Sequence, residues 1–240
     1  TRGMSVAQPK GLAVDDRGFV YVANREGGGS YESEIQVYNS DFSQLITVFD
    51  GGYLNFGGIA VHKENGKYYM YIAREESGLI HRYDVTELDK VSLDGNFGNN
   101  GAFQVIGGSK LRGITVDVDG TIFVADRDNN KVFRISPDLS SVTYVNVPRP
   151  MDIALHGGYA YITSYNGSDS LIRVVDKDDL TFIEDIKINS IDGSAYTRDT
   201  GEGWSGIDIG DDGRIWLCDQ LYADKKDRLL VSSPLPTRID

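Results

Sequence analysis

The sequence predicts an all-β chain, a β-propeller of four-stranded antiparallel blades, and three observations carry that prediction. The first is local. Across 110–135, KLRGITVDVDGTIFVADRDNNKVFRI, short apolar runs are separated by turn signals. Ile114, Val116 and Val118 alternate with polar residues, the period-two pattern of a strand with one buried face. Residues 121–125 form a continuous β-branched and aromatic run, as expected of a strand buried on both faces. Asp119-Gly120 turns the chain between them, because glycine reaches positive φ cheaply and aspartate can hydrogen-bond its own backbone. The second observation is repetition. Gly11-Leu-Ala-Val-Asp followed by Phe19-Val-Tyr-Val-Ala returns as Gly58-Ile-Ala-Val-His with Tyr69-Met-Tyr-Ile-Ala, and as Gly113-Ile-Thr-Val-Asp with Ile122-Phe-Val-Ala-Asp. A degenerate copy starts at Asp152-Ile-Ala-Leu-His, and a last one at Gly206-Ile-Asp-Ile-Gly. The third is the period, about forty to fifty residues with about four strands per unit, which is that of propeller blades. A lone four-stranded sheet cannot bury both faces, so the copies must stack face to face.

Taken in order, five blades are detectable, at about 8–52, 54–109, 110–147, 148–188 and 203–240, forming one domain over 1–240. In the first, Asp15-Asp16-Arg17-Gly18 makes a hairpin, 19–23 the second strand, and 34–38 and 45–49 the outer strands. The loop 24–33 holds Gly27-Gly28-Gly29, but strands flank it rather than a helix N-terminus, so it is not read as a phosphate cradle. The second blade carries an insertion over 84–100, in which 86–90 is expected to form a single helical turn capped by Asp84 or Thr86. Asp94, Asn96 and Asn100 have the oxygen-rich spacing of a calcium loop without an acidic residue at its twelfth place. No cofactor is therefore expected, with calcium the one candidate. The third blade ends in a strand over 142–147, and the fourth has outer strands at 171–175 and 182–188. The connection 189–203 is irregular, and long loops in compact domains are often functional. Either five blades close, with 3–6 or 235–239 supplying the last outer strand, or a sixth lies beyond this sequence. Five-bladed closure is the expectation, since an open ring exposes strand edges.

Composition narrows the functional classes. A chain of 240 residues is long enough for a core without staples. Its single cysteine, Cys218, lies in an apolar run and is expected to be a buried small hydrophobe. With 36 acidic against 24 basic residues the net charge is −12, which argues against broad nucleic-acid binding and against an anionic membrane surface. No run of apolar residues is long enough for a membrane span. No apolar leader opens the chain, so Thr1 is expected to be a processed start, and the abundance of Tyr, Gly, Asn and Ser points to an extracellular or cell-envelope protein of a prokaryote.

The string GITVDVDGTIFVADRDNNKVFRI at 113–135 closely resembles the NHL repeat. The resemblance is strongest at 9–38, 54–83 and 110–135 and weaker at 148–175 and 203–232. It implies the propeller fold. NHL-like propellers include RNA- and protein-binding modules, sensor domains, and lyases or lactonases, so function has to be argued from the site.

In such a fold the innermost strand begins, and the second ends, on one face of the disc. Two sets of residues are thereby expected at the channel mouth. Lys10, Gly57, Arg112, Met151 and Ser205 precede the repeat glycine, and Asn24-Arg25, Arg74-Glu75, Asp126-Arg127, Ser164-Tyr165 and Asp219-Gln220 follow the second strand. The candidate ligand-binding residues are Lys10, Arg25, Arg74, Glu75, Arg112, Asp126, Arg127, Tyr165 and Asp219, a basic mouth suited to a protein partner or an anionic small ligand. The competing reading is that the arginines pair with Glu75, Asp126 and Asp219, the two aspartates anchoring turns. No catalytic residue is assigned. Gluconolactonase-like propellers, which resemble this fold, hold a divalent metal partly through the slot where Lys10 and Arg112 stand, and positive charge there argues against a metal. His62 and His156 share one repeat slot in separate blades and His81 lies in a third strand, so they are expected to be surface or turn histidines that cannot share a zinc. Glu75 with Asp126 or Asp219 remains a pair capable of acid–base work. The expected function is a non-enzymatic NHL-like propeller, an exported protein- or ligand-binding scaffold. The alternative is a metal-dependent lyase or lactonase-type hydrolase with its site at the mouth. Self-association through the final blade is a further expectation.

Overall fold

A computed structural model describes residues 9–25, 33–50, 55–105, 110–167, 169–187, 190–191, 194–195, 204–219 and 228–234. The chain is all-β, five antiparallel sheets of the five-bladed propeller type, with no helix among the described residues. Blade one is β1 (Pro9–Val14), β2 (Val20–Arg25), β3 (Ser33–Tyr38) and β4 (Leu45–Asp50). Blade two is β5 (Phe56–Glu64), β6 (Lys67–Arg74) and β7 (Leu79–Asp84), with β8 (Ser92–Leu93) and β9 (Ala102–Gln104) both paired to β7. Blade three is β10 (Leu111–Val116), β11 (Ile122–Asp126), β12 (Lys131–Ile135) and β13 (Val142–Asn146), and blade four is β14 (Ile153–His156), β15 (Tyr159–Tyr165), β16 (Ser170–Asp176) and β17 (Phe182–Ile186). A small hairpin of β18 (Ser190–Ile191) and β19 (Ser194–Ala195) precedes blade five, which has three described strands, β20 (Trp204–Ile209), β21 (Arg214–Asp219) and β22 (Arg228–Pro234). The segments 3–6 and 235–239, offered as a last outer strand, lie outside the described residues.

Two compact units divide the chain, 1–124 with 134–142, and 125–133 with 143–240. In the first, blades one and two meet through Tyr21, Ile35 and Val37 on one side and Phe56, Ile59, Met70 and Ile72 on the other. Arg17 fastens the same unit. Its guanidinium donates to Thr86 O at 2.8 Å and Val85 O at 3.2 Å while lying 3.7 Å from the centre of the Tyr68 ring. The expected helical turn at 86–90 is a hydrogen-bonded turn instead, with Lys90 N donating to Glu87 O at 2.9 Å. One of its capping groups serves the sheet: Thr86 Oγ1 accepts Tyr68 N at 3.0 Å.

Close approach explains the glycines. A Cβ on Gly57 would lie 2.0 Å from Leu111 O, and one on Gly58 would lie 2.7 Å from Arg112 O. The inner strand of the next blade runs over these positions, and only glycine leaves room. In the second unit, Ala154, Tyr161, Ile172 and Val174 of blade four pack against Trp204, Ile207, Ile215 and Leu217 of blade five. Alternation along β21 puts Ile215 and Leu217 on that packed face and turns Cys218 away. Cys218 is exposed, contrary to the expectation of a buried hydrophobe, because alternation along β21 places it on the face opposite Ile215 and Leu217.

Candidate functional site

In blades one, two and five the start of the inner strand and the end of its neighbour come together through an irregular ladder. Register shifts between Pro9 and Gly11, between Phe56 and Gly58, and between Trp204 and Gly206. The slot before the repeat glycine, holding Lys10, Gly57 and Ser205, is therefore a β-bulge. An extra residue there leaves the ladder and re-aims the chain, as bulges beside functional sites do.

The first unit brings three of the predicted residues together at the β6–β7 end of blade two. Arg74 closes β6, and Glu75, only 8% exposed, follows it with its N–H donating to Asn55 O at 2.8 Å. The Glu75 carboxylate is ion-paired with Arg112 at the start of β10. Along the β5–β7 part of blade two and on Arg112 itself, five buried polar atoms have no hydrogen-bond partner: Asn55 Oδ1, Arg74 Nε, Ser77 Oγ, His81 Nδ1 and Arg112 Nε. His81 is a half-buried strand residue opposite Ile72 rather than the expected surface or turn histidine. Burial, and then the Arg74 charge, hold its pKa below the ordinary imidazole value. Lys10 is exposed in its bulge, and the side chain of Arg25 lies outside the described residues, as does most of the loop 24–33.

In the second unit the competing reading holds for Asp126. Its carboxylate is fully buried and accepts Asn129 N at 3.3 Å and Asn129 Nδ2 at 2.8 Å, anchoring the β11–β12 turn. Arg127 follows in that turn, its carbonyl accepting Asn130 N at 3.4 Å. Tyr165 donates its hydroxyl to Gly167 O at 2.6 Å and has the Arg149 guanidinium 5.5 Å from its ring centre. Asp219 ends β21 opposite Trp204, and its side chain lies outside the described residues.

Sequence reasoning missed two groups. His81 was set aside because a strand position does not reveal burial. Asp152 was read only as a degenerate repeat, although an acid where the other copies have glycine was the signal. Its Oδ2 accepts Ile207 N of the neighbouring inner strand at 3.0 Å. Burial pushes this carboxyl up to about 7, against the pull of the Ile207 and Ile153 N–H groups and with a small contribution from Asp208. A cleft of about 480 Å³ between Asn130, Asn146, Pro148 and Arg173 holds none of the predicted residues, and Arg173 is engaged there by Asp185 at 2.9 Å.

No side-chain set among the described residues fits a metal ion. Among the described residues no three His, Cys, Asp or Glu side chains are placed to share one. The unpartnered nitrogens of Arg74 and Arg112 are cationic donors, which suit an anion. In the proposed calcium loop, Asp94 Oδ2 accepts Arg82 Nε at 2.7 Å and Oδ1 accepts Asn96 N at 3.1 Å.

No protein-family model, that of the NHL repeat included, matches the chain, and no curated protein matches it in sequence. Solved structures do match. Virginiamycin B lyase from Staphylococcus aureus aligns with a TM-score of 0.58 at 16% identity, over 98% of this chain and 72% of that one. A gluconolactonase from Xanthomonas campestris aligns with a TM-score of 0.62 at 15% identity, over 95% and 76% of the two chains. Glutaminyl cyclase from Myxococcus xanthus aligns with a TM-score of 0.54 at 15% identity, over 95% and 93%. Such identities show the fold. They also correct the expectation of a non-enzymatic scaffold, since these neighbours are enzymes and favour the catalytic alternative. A motif tied to the fold rather than to the reaction had left that choice open.

Proposed function

We propose that the chain is an enzyme of the lyase or lactonase-type hydrolase kind, working on an anionic carbonyl compound at the β6–β7 end of blade two. The observation that supports this is the group of buried, unpartnered polar atoms on Asn55, Arg74, Ser77, His81 and Arg112. Each such group left unsatisfied costs about 1–3 kcal/mol, and a substrate carrying carboxylate, carbonyl and hydroxyl oxygens would satisfy them together. Arg112, held in place by Glu75, and Arg74 would orient the substrate and support charge developing on its carbonyl oxygen. His81, held neutral at neutral pH by burial and Arg74, would accept the proton. In a hydrolysis that proton comes from the water whose oxygen joins the carbonyl carbon, and it passes to the leaving alkoxide as the acyl C–O bond breaks. In a lyase reaction it comes from the carbon beside the carbonyl, whose electron pair forms the new double bond as the leaving group departs. The likeness to a lyase and to a gluconolactonase supports both versions equally. No step uses a metal.

The test is turnover by the purified chain on a panel of lactones and β-eliminating esters in the presence of EDTA. Arg112→Ala should lower kcat/KM by about 10²–10³-fold, the usual cost of one oxyanion donor, with the thermal midpoint monitored alongside. No turnover on any substrate would sink the enzyme reading. Turnover unchanged by Arg112→Ala would move the site elsewhere, and activity abolished by EDTA would overturn the metal-free chemistry.

A further inference from the structure

The second compact unit holds a cleft that the proposed reaction does not use. Asn130, Asn146, Val147, Pro148 and Arg173 line it, and its volume of about 480 Å³ is within the range of small-ligand sites. All five residues belong to that unit. Two of the three polar side chains are fixed at one end. Asn130 Oδ1 accepts Arg149 N at 2.8 Å, which sets the amide and leaves its Nδ2 with no hydrogen bond to the described residues. Arg173 donates from Nε and Nη2 to the two oxygens of Asp185, both at 2.9 Å, while Nη1 reaches only Asn146 O at 3.4 Å. A guanidinium carries five N–H donors, so two remain to spare. The Asn146 side-chain amide makes no hydrogen bond to the described residues. The chain beside these groups has an uncommon shape. Arg149 has a φ of 40° although Pro150 follows it, and a residue before proline prefers extended backbone. Hydrogen bonds on both flanks hold this kink. Val147 N donates to Asn130 O at 2.9 Å, and Pro148 O accepts Ser164 Oγ at 2.6 Å and Tyr165 N at 3.2 Å. Left-handed residues of this kind cluster at ligand clamps, where the surrounding contacts keep them in place.

We propose that this cleft binds a neutral mono- or disaccharide. Charge decides against an anion. Arg173 is the one cation among the lining residues, and the Asp185 fork already neutralises it. What remains is hydrogen-bonding capacity spread over three planar groups. Asn130 Nδ2 and the spare Arg173 nitrogens donate, and the Asn146 amide both donates and accepts. A sugar hydroxyl also donates and accepts at once, so neighbouring hydroxyls on a ring can meet a planar amide or guanidinium in pairs. Donors outnumber acceptors here, which suits the lone pairs of hydroxyl and ring oxygens and disfavours an amine. Pro148 supplies apolar surface for the C–H face of the ring. Because the Asn130 amide, the Arg173 guanidinium and the backbone between the prolines are set before binding, little ordering cost is left. The site stands on its own residues and not on the reaction assigned to blade two.

The test is isothermal titration calorimetry on the intact chain with glucose, galactose, mannose, N-acetylglucosamine, lactose and cellobiose. Inorganic phosphate and glucuronate serve as anionic probes. At least one neutral sugar should bind, and more tightly than either anion. Asn146→Ala should weaken that binding about tenfold, the loss expected when an amide gives up its hydrogen bonds to a ligand. Since this amide has no partner among the described residues, the variant should keep the wild-type thermal midpoint. Arg173→Lys keeps the charge but loses the planar fork, and should weaken binding as well. Arg112→Ala should bind the sugar as the wild type does, which separates this cleft from the site in blade two. Failure of every neutral sugar to bind overturns the inference. So does binding unchanged in Asn146→Ala, an anion bound more tightly than any neutral sugar, or loss of sugar binding in Arg112→Ala.

Discussion

Asp152 is the residue whose chemistry departs furthest from that of its repeat counterparts. Four copies have glycine at its place, and here a carboxyl reaches across to Ile207 N instead. Its folded-state pKa, about 7, lies above the unfolded carboxylate value, so the folded chain holds the extra proton. That contribution to stability is fully present below the unfolded value and is lost as pH rises through about 7. Asp152→Asn keeps an acceptor without the charge. It should raise the thermal midpoint at pH about 8 and change it little at pH about 4, with roughly 2–4 °C for each kcal/mol in a chain of this size. An unchanged midpoint at alkaline pH would show that the carboxyl is solvated. His81 runs in the opposite sense. Its folded pKa is depressed, so its contribution is present above the unfolded imidazole value and is lost as pH falls below it. The same deprotonated form is the proposed base, so kcat/KM should fall on the acid side, with the apparent pKa under the ordinary value for histidine. A rate limb centred above that value would exclude His81. Neither residue could be weighed from sequence, because burial of a polar group depends on what the next strand brings over it.

Individual elements were largely legible. The run predicted as a strand at 34–38 is β3, Ser33–Tyr38, and that at 45–49 is β4, Leu45–Asp50, because period-two alternation and turn residues act locally. The insertion in blade two was not legible in the same way. Asp84 and Thr86 look like helix caps, and Asp84 Oδ1 does accept Thr86 N at 3.0 Å, but Thr86 Oγ1 accepts Tyr68 N, so the second cap is spent on a strand neighbour. Tertiary pairing overrode a local preference. The glycine pair at 57–58 was legible as a repeat but not as a contact. Gly57→Ala would push a methyl group into Leu111 O, a backbone atom that cannot rotate away. A loss of about 1–3 kcal/mol is expected from such overpacking, read as a lower midpoint in denaturant titration. A midpoint equal to wild type would mean that the inner strands are free to separate.

At the scale of the molecule, repetition announced the fold because each copy restates the same buried and exposed positions. The reaction was not announced, because the repeat encodes stacking of blades, and solved structures at 15–16% identity share that stacking. What distinguishes this chain is a handful of side chains between strands, among them Glu75 and Arg112, whose pairing exists only once blades two and three are in place. Stripping the protein with EDTA should leave its thermal midpoint unchanged, since a ligand bound to the native state would add stability by mass action. A clear drop would place a metal in the molecule.

The bulges have a consequence for how such a chain can change. A residue that has stepped out of the ladder makes no demand on strand pairing, so its identity is decoupled from the integrity of its blade. Lys10 and Ser205 are exposed in that position, whereas Gly57 is pinned by Leu111. Mutational drift, or a saturation library, at 10 and 205 would sample new recognition chemistry at the rim while the scaffold stays intact.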